Sequence, residues 1–503
     1  MASMRPNILF VFDDQHRYSA LGCSGNTIIR TPHIDRLAGQ GIVFDQAFSN
    51  CPICSPYRGN LLTGRYPHQH GVVDNEYRLW TDQLTLPQVL QDAGYRTAFI
   101  GKWHLGYGPY PEDKRYGFQY MAAYNCDHRY YQVQYYENER GPIQFGCWAP
   151  EGETDLAIRY LEAHKKRDDG APFLLMVAWG PPHWPYDQYP QEFHIYDPAG
   201  VDVPANVPVQ MEAFARQEIA HYYGNVTALD AQMGRLLEAL DRLGLAENTI
   251  VCFTSDHGDH LSSHGYGKPM DLWLHPSKRP SKASPYEEAI HVPFVLRFPG
   301  RVPAGRRTDG LIGTVDIMPT LLGLCGVEVP PTVMGKNLSH VAVGEDRDWP
   351  DSVYLQILGP CWPDRRKSIG FWRGVRNERW TYARWWRDEH EPLLFDHQSD
   401  RYEMNDLAGK EEYADVQAGL ELRLQQWMAE TGDPFDTGKR DPVTGMLQLG
   451  QEFSSDRWST TGHTLPGRAP RAAEECPGAR SADDRARPGR VGRDSGHSGG
   501  CDG

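Results

Sequence analysis

Asn7, Ile8, Leu9, Phe10, Val11 and Phe12 form a largely apolar run that stops abruptly at Asp13, Asp14 and Gln15. A run this short, bounded by polar groups, reads as a buried β-strand. The pattern recurs along the chain. Residues 97–100 (TAFI) lead into Gly101, Lys102, Trp103 and His104. Residues 173–179 (FLLMVAW) lead into Gly180, Pro181, Pro182 and His183. Residues 249–254 (TIVCFT) lead into Ser255, Asp256 and His257, and a fifth run covers residues 292–298 (VPFVLRF). Helical patterns alternate with these runs. In residues 212–243, Tyr222, Val226, Leu229, Met233, Leu236, Leu237 and Leu240 recur at steps of three and four, and Gly244 follows as a stop. The alternation predicts an α/β fold with a mostly parallel sheet sandwiched by helices. Open sheets of this kind bind ligands beyond the carboxyl ends of their strands. Four strands that end in acidic, basic or imidazole groups therefore predict one shared site.

The 503 residues carry a net charge of −15 at pH 7, with 40% hydrophobic and 23% charged residues. That is ordinary globular usage and enough apolar material for a large core. The acidic balance argues against a nucleic-acid binder but permits a local basic pocket for a small anion. No run of about 18 apolar residues is present, so no membrane partner is expected. Met1-Ala2-Ser3-Met4-Arg5 leads straight into the first strand, without the apolar length or small-residue cleavage site of a signal peptide. Ten cysteines at irregular spacing do not suggest a disulfide framework, so a reduced, cytoplasmic protein is expected. Residues 1–350 read as a catalytic domain. Residues 351–453 read as a smaller antiparallel sheet with a helix near residues 411–430, and its aromatic segments at 369–372 and 380–386 are the strand candidates. Residues 454–503, rich in Gly, Arg, Ser, Pro and Asp, read as a disordered tail. There is no internal repeat, and oligomeric state is left open.

The segment Cys54-Ser55-Pro56-Tyr57-Arg58, continuing Gly59-Asn60-Leu61-Leu62-Thr63-Gly64-Arg65, resembles the sulfatase signature Cys-x-Pro-Ser-Arg with its following Leu-Thr-Gly. Tyr57 stands where the signature usually has Ser. Further motifs of that family follow in order: Pro6-Asn7-Ile8, Thr31-Pro32-His33-Ile34-Asp35-Arg36-Leu37-Ala38, Gly64-Arg65-Tyr66-Pro67, Gly101-Lys102-Trp103-His104-Leu105-Gly106 and Ser255-Asp256-His257-Gly258. The resemblance spans roughly residues 5 to 430. It implies an alkaline-phosphatase-like fold and hydrolysis of sulfate monoesters, of a sulfated sugar or a small alcohol or aryl ester. It also implies that Cys54 is oxidised to formylglycine by a maturation enzyme. The hydrated aldehyde has two hydroxyls on one carbon: one displaces the alcohol at sulfur, and deprotonation of the other expels sulfate.

The same resemblance supplies the expected roles. Asp14, Gln15, Asp256 and His257 are expected to hold a divalent metal together with the diol of residue 54, His257 alternatively bonding sulfate or the diol instead of the metal. Their oxygen-rich set suits Ca2+, with Mg2+ or Mn2+ as alternatives. Asp13 reads instead as a strand-end or turn carboxylate. Arg58, four residues after Cys54, lies within about one helical turn of it and is expected to hold the diol and the ligand carboxylates. Lys102 and His104, at period two, would share one face of an extended segment, Lys102 binding sulfate and His104 serving as base. His183 is expected on sulfate or on the leaving oxygen. Lys282, placed ahead of Tyr286-Glu287-Glu288 as the family's second lysine is, is expected on sulfate and the leaving alcohol, with Lys278 as its rival and Lys268 in the same loop. Residues 124–136 and Trp148 either line the mouth of the site or pack against the second domain. The competing view of Cys51-Pro52-Ile53-Cys54 as a redox or half-zinc pair lacks a second ligand pair. A formylglycine phosphonate monoester or phosphodiester hydrolase shares the Asp-Gln and Asp-His pattern, although the Lys102/His104 pair favours sulfate. A non-catalytic binding protein on the same scaffold is the alternative of another class.

Overall fold

The computed structural model describes residues 5–75, 77–167, 169–265, 282–345, 347–359, 371–388, 390–440 and 447–448. The tail expected at residues 454–503, together with Lys268 and Lys278, lies outside them. The main sheet has ten strands: β1 (Asn7–Asp14), β2 (Ile42–Phe48), β3 (Arg96–Lys102), β4 (Tyr120–Tyr124), β5 (Gln134–Glu137), β6 (Arg140–Gln144), β7 (Phe173–Pro182), β8 (Thr249–Ser255), β9 (Phe294–Arg297) and β10 (Arg306–Gly313). Their order is β10-β2-β9-β8-β1-β7-β3-β4-β5-β6. The central block β8-β1-β7-β3-β4 is parallel throughout.

The alternation of β1 shows why the sheet is buried on both sides. Leu9 and Val11 point into one apolar cluster with Leu156, Leu161, Val226, Leu229 and Leu236, from the helices Ala149–Arg167 and Glu212–Arg242. Ile8, Phe10 and Phe12 point into another with Leu61, Leu62, Leu90 and Leu321, from helices on the opposite face. Every residue of β1 is buried. The long helix ends at Arg242, within a residue of its sequence-read boundary. No described helix is long and apolar enough to cross a membrane.

Two features differ from the sequence reading. The run at residues 292–298 forms a four-residue strand, β9, that is antiparallel to both β2 and β8. Only residues 298–305, with a Pro-Gly turn, link β9 to β10, too short for the crossover of a dozen or more residues that a parallel pair needs, so β9 runs against β10 and its parallel neighbour β2. The hairpin β5–β6 extends the sheet past β4 as an antiparallel edge. Its polar, largely solvent-facing residues gave no apolar signal.

The second sheet, β11 (Val353–Ile357), β12 (Trp372–Arg376), β13 (Trp380–Trp385) and β14 (Leu393–Asp396), is antiparallel in sequence order. The helix Ala414–Thr431 covers one face through Leu420, Leu424 and Met428. The other face buries Leu355, Trp372 and Trp385 against Ile53, Ala283 and Tyr286 of the first domain.

One buried carboxylate couples this core to pH. Glu153 has no exposed surface, and its pKa is pushed up to about 8, chiefly by burial, against the weaker pull of the Tyr124 hydroxyl and Arg58. The folded state keeps a proton that the unfolded chain gives up above its ordinary 4.5, so stability falls as pH rises between those two values. Glu153→Gln is expected to flatten that fall. Urea midpoints at about pH 5 and about pH 8.5 measure it, and an unchanged pH slope in the variant refutes it.

Candidate active site

The carboxyl ends of the central strands deliver the polar groups of the site. Asp14 closes β1 opposite Pro182, and His183 follows Pro182 directly. Asp13 pairs with Ser255, so Asp256 and His257 emerge beside Asp14. Lys102 is the last residue of β3. Gly101 before it has φ of 108°, and a Cβ there would lie 2.1 Å from the Ala178 carbonyl oxygen, so only glycine lets β3 approach β7 at this level. Cys54 is the first residue of the wholly buried helix Cys54–Thr63. Its position at the helix N-terminus, where backbone N–H groups and the dipole favour anions, suits a site that handles negative charge.

These groups converge on Cys54. Lys282 Nζ donates to Cys54 Sγ at 3.1 Å, His257 Nε2 lies at 3.3 Å, and the thiol reaches Asp14 Oδ1 at 3.7 Å. Arg58, one turn along the helix, sets Nη2 3.3 Å from Asp14 Oδ2 and 3.5 Å from Asp256 Oδ2, and its other nitrogen donates to the Lys102 carbonyl. Lys102 Nζ sits 2.6 Å from Asp14 Oδ2. Lys282 Nζ also lies 3.1 Å from His183 Nε2. Lys282 thus occupies the site among the described residues.

The electrostatics follow from burial and these pairs. Burial opposes ionisation of Asp14, yet the surrounding positive charge, that of Lys102 first and Lys282 with it, outweighs burial and holds its carboxyl well below the usual range. Asp256 goes the other way: burial and the neighbouring Asp14 charge push it up to about 8. Burial and Asp14 push the Cys54 thiol up to about 12. His257, His183 and His104 are all held neutral, first by burial and then by the nearby lysines. The tautomers of two are set by carbonyl acceptors. His257 Nδ1 donates to Gly258 O at 3.0 Å and His183 Nδ1 to Trp184 O at 2.7 Å. Both Nε2 atoms therefore turn bare lone pairs inward.

Asp14, Gln15, Asp256 and His257 form a donor set that fits a hard divalent cation. Ligand atoms of Asp14, Cys54, Asp256 and His257 lie within 4.8 Å of one another. Gln15 adopts φ of 71°, its N–H donates to Asp256 Oδ1 at 3.0 Å, and its Nε2 donates to Asp259 Oδ2 at 2.6 Å. That bond fixes the amide so that Gln15 Oε1 is left buried without a hydrogen-bond partner, as is Asp256 Oδ2. Two orphaned buried oxygens beside an imidazole lone pair are what a cation satisfies. Asp13 stays outside this set and bonds His16 Nδ1 at 2.7 Å. Cys51 is buried in the interdomain core, and both it and Cys54 are free thiols.

One geometric expectation is corrected. Lys102 and His104 do not lie on one extended segment. β3 ends at Lys102, and His104 takes φ of 53° as its N–H continues the ladder to Asn125 O at 2.9 Å. The turn still buries the His104 ring, whose Nδ1 has no hydrogen-bond partner. Two groups escaped the sequence reading. Asp259, three residues after Asp256, orients Gln15 and accepts from the Tyr186 hydroxyl. His128 stacks flat on His183, with ring centroids 4.1 Å apart and planes 9° from parallel. Its location within residues 124–136 was the only available signal. Gln15→Leu, which removes the orphaned oxygen, is expected to weaken divalent-metal affinity by about ten- to a hundredfold. Metal retained after dialysis, measured by plasma mass spectrometry, would be unchanged if Gln15 is not a ligand.

Comparison with known proteins identifies the family. The sulfatase family model matches residues 6–327, and the model of the N-sulphoglucosamine sulphohydrolase C-terminal region matches residues 281–430. The chain is 35% identical over 442 residues to an ulvan-active sulfatase of Formosa agariphila, covering 86% of this chain and 82% of that protein. It is 32% identical over 492 residues to an endo-4-O-sulfatase of Bacteroides thetaiotaomicron, covering 86% and 94%. A solved structure in complex with its substrate D-glucosamine-2-N,6-O-disulfate superposes with a TM-score of 0.75 at 27% identity, covering 85% of this chain and 98% of that one. The chain therefore belongs to the sulfatase family: it is a sulfuric ester hydrolase on the alkaline-phosphatase-like fold.

Proposed function

We propose that this sulfatase removes sulfate from a saccharide ester, using formylglycine made from Cys54 and a calcium ion held by Asp14, Gln15, Asp256 and His257. The observation that carries the site assignment is the position of residue 54. Its side chain is buried and lies between the Lys282 ammonium at 3.1 Å, the His257 lone pair at 3.3 Å and the Asp14 carboxylate at 3.7 Å. A thiol pushed up to about 12 is a poor nucleophile as it stands. That favours chemical conversion of Cys54 over its use as a thiolate. The sugar class rests on the named activities of the relatives, which act on ulvan and on a glucosamine disulfate.

When bound, the cation lowers the pKa of the aldehyde hydrate and neutralises sulfate oxygens. The chain's own groups do the rest. Arg58 holds Asp14 and Asp256 in place. Lys102 and Lys282 supply fixed positive charge where the sulfuryl oxygens gather. His104, kept neutral by burial, Lys102 and Arg58, accepts the proton whose removal releases sulfate. His183 and Lys282 face the leaving oxygen. His128, stacked on His183, borders the alcohol half of the substrate.

Protein co-produced with a formylglycine-generating enzyme is expected to yield a peptide across Cys54 lighter by the exchange of thiol for aldehyde, and to desulfate sulfated monosaccharides. His104→Ala is expected to lower turnover by about 10²–10⁴-fold, while Cys54→Ala abolishes it. An unmodified Cys54 in active enzyme, or wild-type turnover in the His104 variant, refutes the scheme. An aryl phosphonate cleaved faster than the matching aryl sulfate moves the assignment to esters of phosphorus.

A further inference from the structure

A surface cleft of about 590 Å³ opens at the end of the sheet opposite the nucleophile. It lies between the start of β3, the edge strands β4 to β6 and the helix Ala149–Arg167. Arg96 and Lys102 are the two ends of β3, so the cleft and the catalytic pocket are separated by about 20 Å along the strand. Four guanidinium groups, those of Arg96, Arg140, Arg159 and Arg167, line the cleft against one carboxylate, Glu137. This local excess of positive charge stands on a chain whose net charge is −15.

Not all of these charges are spent internally. Arg96 Nη1 donates to Asp169 at 2.7 Å, and Arg140 lies 3.6 Å from Glu137. Among the described residues, Arg159 and Arg167 pair with no carboxylate. Both are exposed. Beside them Tyr120 and Tyr160 are stacked with centroids 5.9 Å apart and planes at 27°, and the Tyr120 hydroxyl donates to Glu137 at 2.9 Å. The cleft thus offers planar forks that match sulfate or carboxylate bidentately. The same wall carries amphipathic rings that can pack on the C–H face of a sugar while their hydroxyls stay wet.

We propose that this cleft is a second, non-catalytic saccharide site, which holds a sulfated segment of a polymeric substrate away from the ester being cleaved. The inference rests on the saccharide reading of the substrate. Single-stranded nucleic acid also uses basic grooves with aromatic rings; both polyanions meet the same net charge, and a sulfated glycan is favoured because the relatives' named substrates are sulfated saccharides.

The test compares wild type with Arg159→Glu/Arg167→Glu and the milder Arg159→Gln/Arg167→Gln. Both side chains are exposed, so these changes leave folding intact. Binding of dextran sulfate is measured by calorimetry at two salt concentrations, with neutral dextran and a thymidine oligonucleotide as controls, and hydrolysis of 4-nitrophenyl sulfate is measured in parallel. Wild type is expected to bind dextran sulfate in a salt-sensitive way and neutral dextran not at all. The Glu pair is expected to weaken the Kd by about tenfold or more and the Gln pair by less, with the small-ester kcat/KM unchanged in both. Equal Kd values for wild type and variants, or an oligonucleotide bound as tightly as dextran sulfate, overturn the cleft and leave the catalytic reading standing. Dextran sulfate bound through these arginines by a protein that cleaves no sulfate ester overturns the catalytic reading and not the cleft.

Discussion

The pair between Lys102 and Asp14, 2.6 Å apart with neither side chain exposed, is the contact on which the site depends. An ionised carboxylate in a dry pocket carries a desolvation penalty of several kcal/mol. Asp14 bears it because three cations face it: Lys102 and Arg58 directly and Lys282 across the pocket. Its ionisation then works on its neighbours. It raises Asp256 toward the neutral form and pushes the Cys54 thiol up. A site with one firmly ionised carboxylate and a second that ionises readily only against added positive charge is primed for a divalent cation. With the three protein cations around it, the pocket is left with an excess of positive charge for an anionic ester.

That arrangement requires strands in fixed register, and the second sheet contributes to it from outside. Trp372 Nε1 donates to the Ala283 carbonyl at 3.0 Å, and Ile53 and Ala283 share one apolar cluster with Leu355, Trp372 and Trp385. The residues on either side of the reacting pair, one before Cys54 and one after Lys282, are thus clamped by the same wall. The sheet is itself fixed by a buried pair, Arg373 Nε to Asp433 Oδ2 at 2.7 Å with Tyr354 donating to the same oxygen at 2.8 Å. Breaking such a pair leaves an uncompensated charge that costs about 3–5 kcal/mol. The small domain therefore acts on the chemistry through the placement of Lys282.

The parts legible in the sequence are those with a continuous apolar signal. β1, β3, β7 and β8 are buried on both faces, and their runs and the polar residues ending them could be read directly. The edge hairpin β5–β6 faces water, and its polar residues look like loop. Asp14, Cys54, Asp256 and His257, whose ligand atoms lie within 4.8 Å of one another, could be picked out because each lies within a few residues of a strand end or a motif. Asp259 and His128 act through orientation and stacking, which spacing does not encode. The period-two argument for Lys102 and His104 failed locally because a strand that delivers a ligand must end there, and the chain turned through a left-handed residue to bring His104 back.

The tautomers bear on how the leaving group departs in the proposed reaction. His183 is neutral and its one proton is on Nδ1, held by the Trp184 carbonyl at 2.7 Å. Its Nε2 faces Lys282 Nζ at 3.1 Å as an acceptor, so it has no proton to give to an alkoxide. Of that pair only Lys282 carries protons directed into the pocket. Its pKa is raised against the burial that opposes its charge, with the ionised Asp14 among the causes, so it gives up a proton reluctantly. The leaving oxygen is then served first by a fixed charge and a hydrogen bond, with proton transfer following as negative charge develops on it. His183 fixes the direction of that ammonium instead of acting as the acid. The same logic separates the two ends of the pocket: a neutral imidazole at residue 104 is free to take a proton where sulfate is released, and an ammonium at residue 282 is placed to stabilise charge where the alcohol leaves.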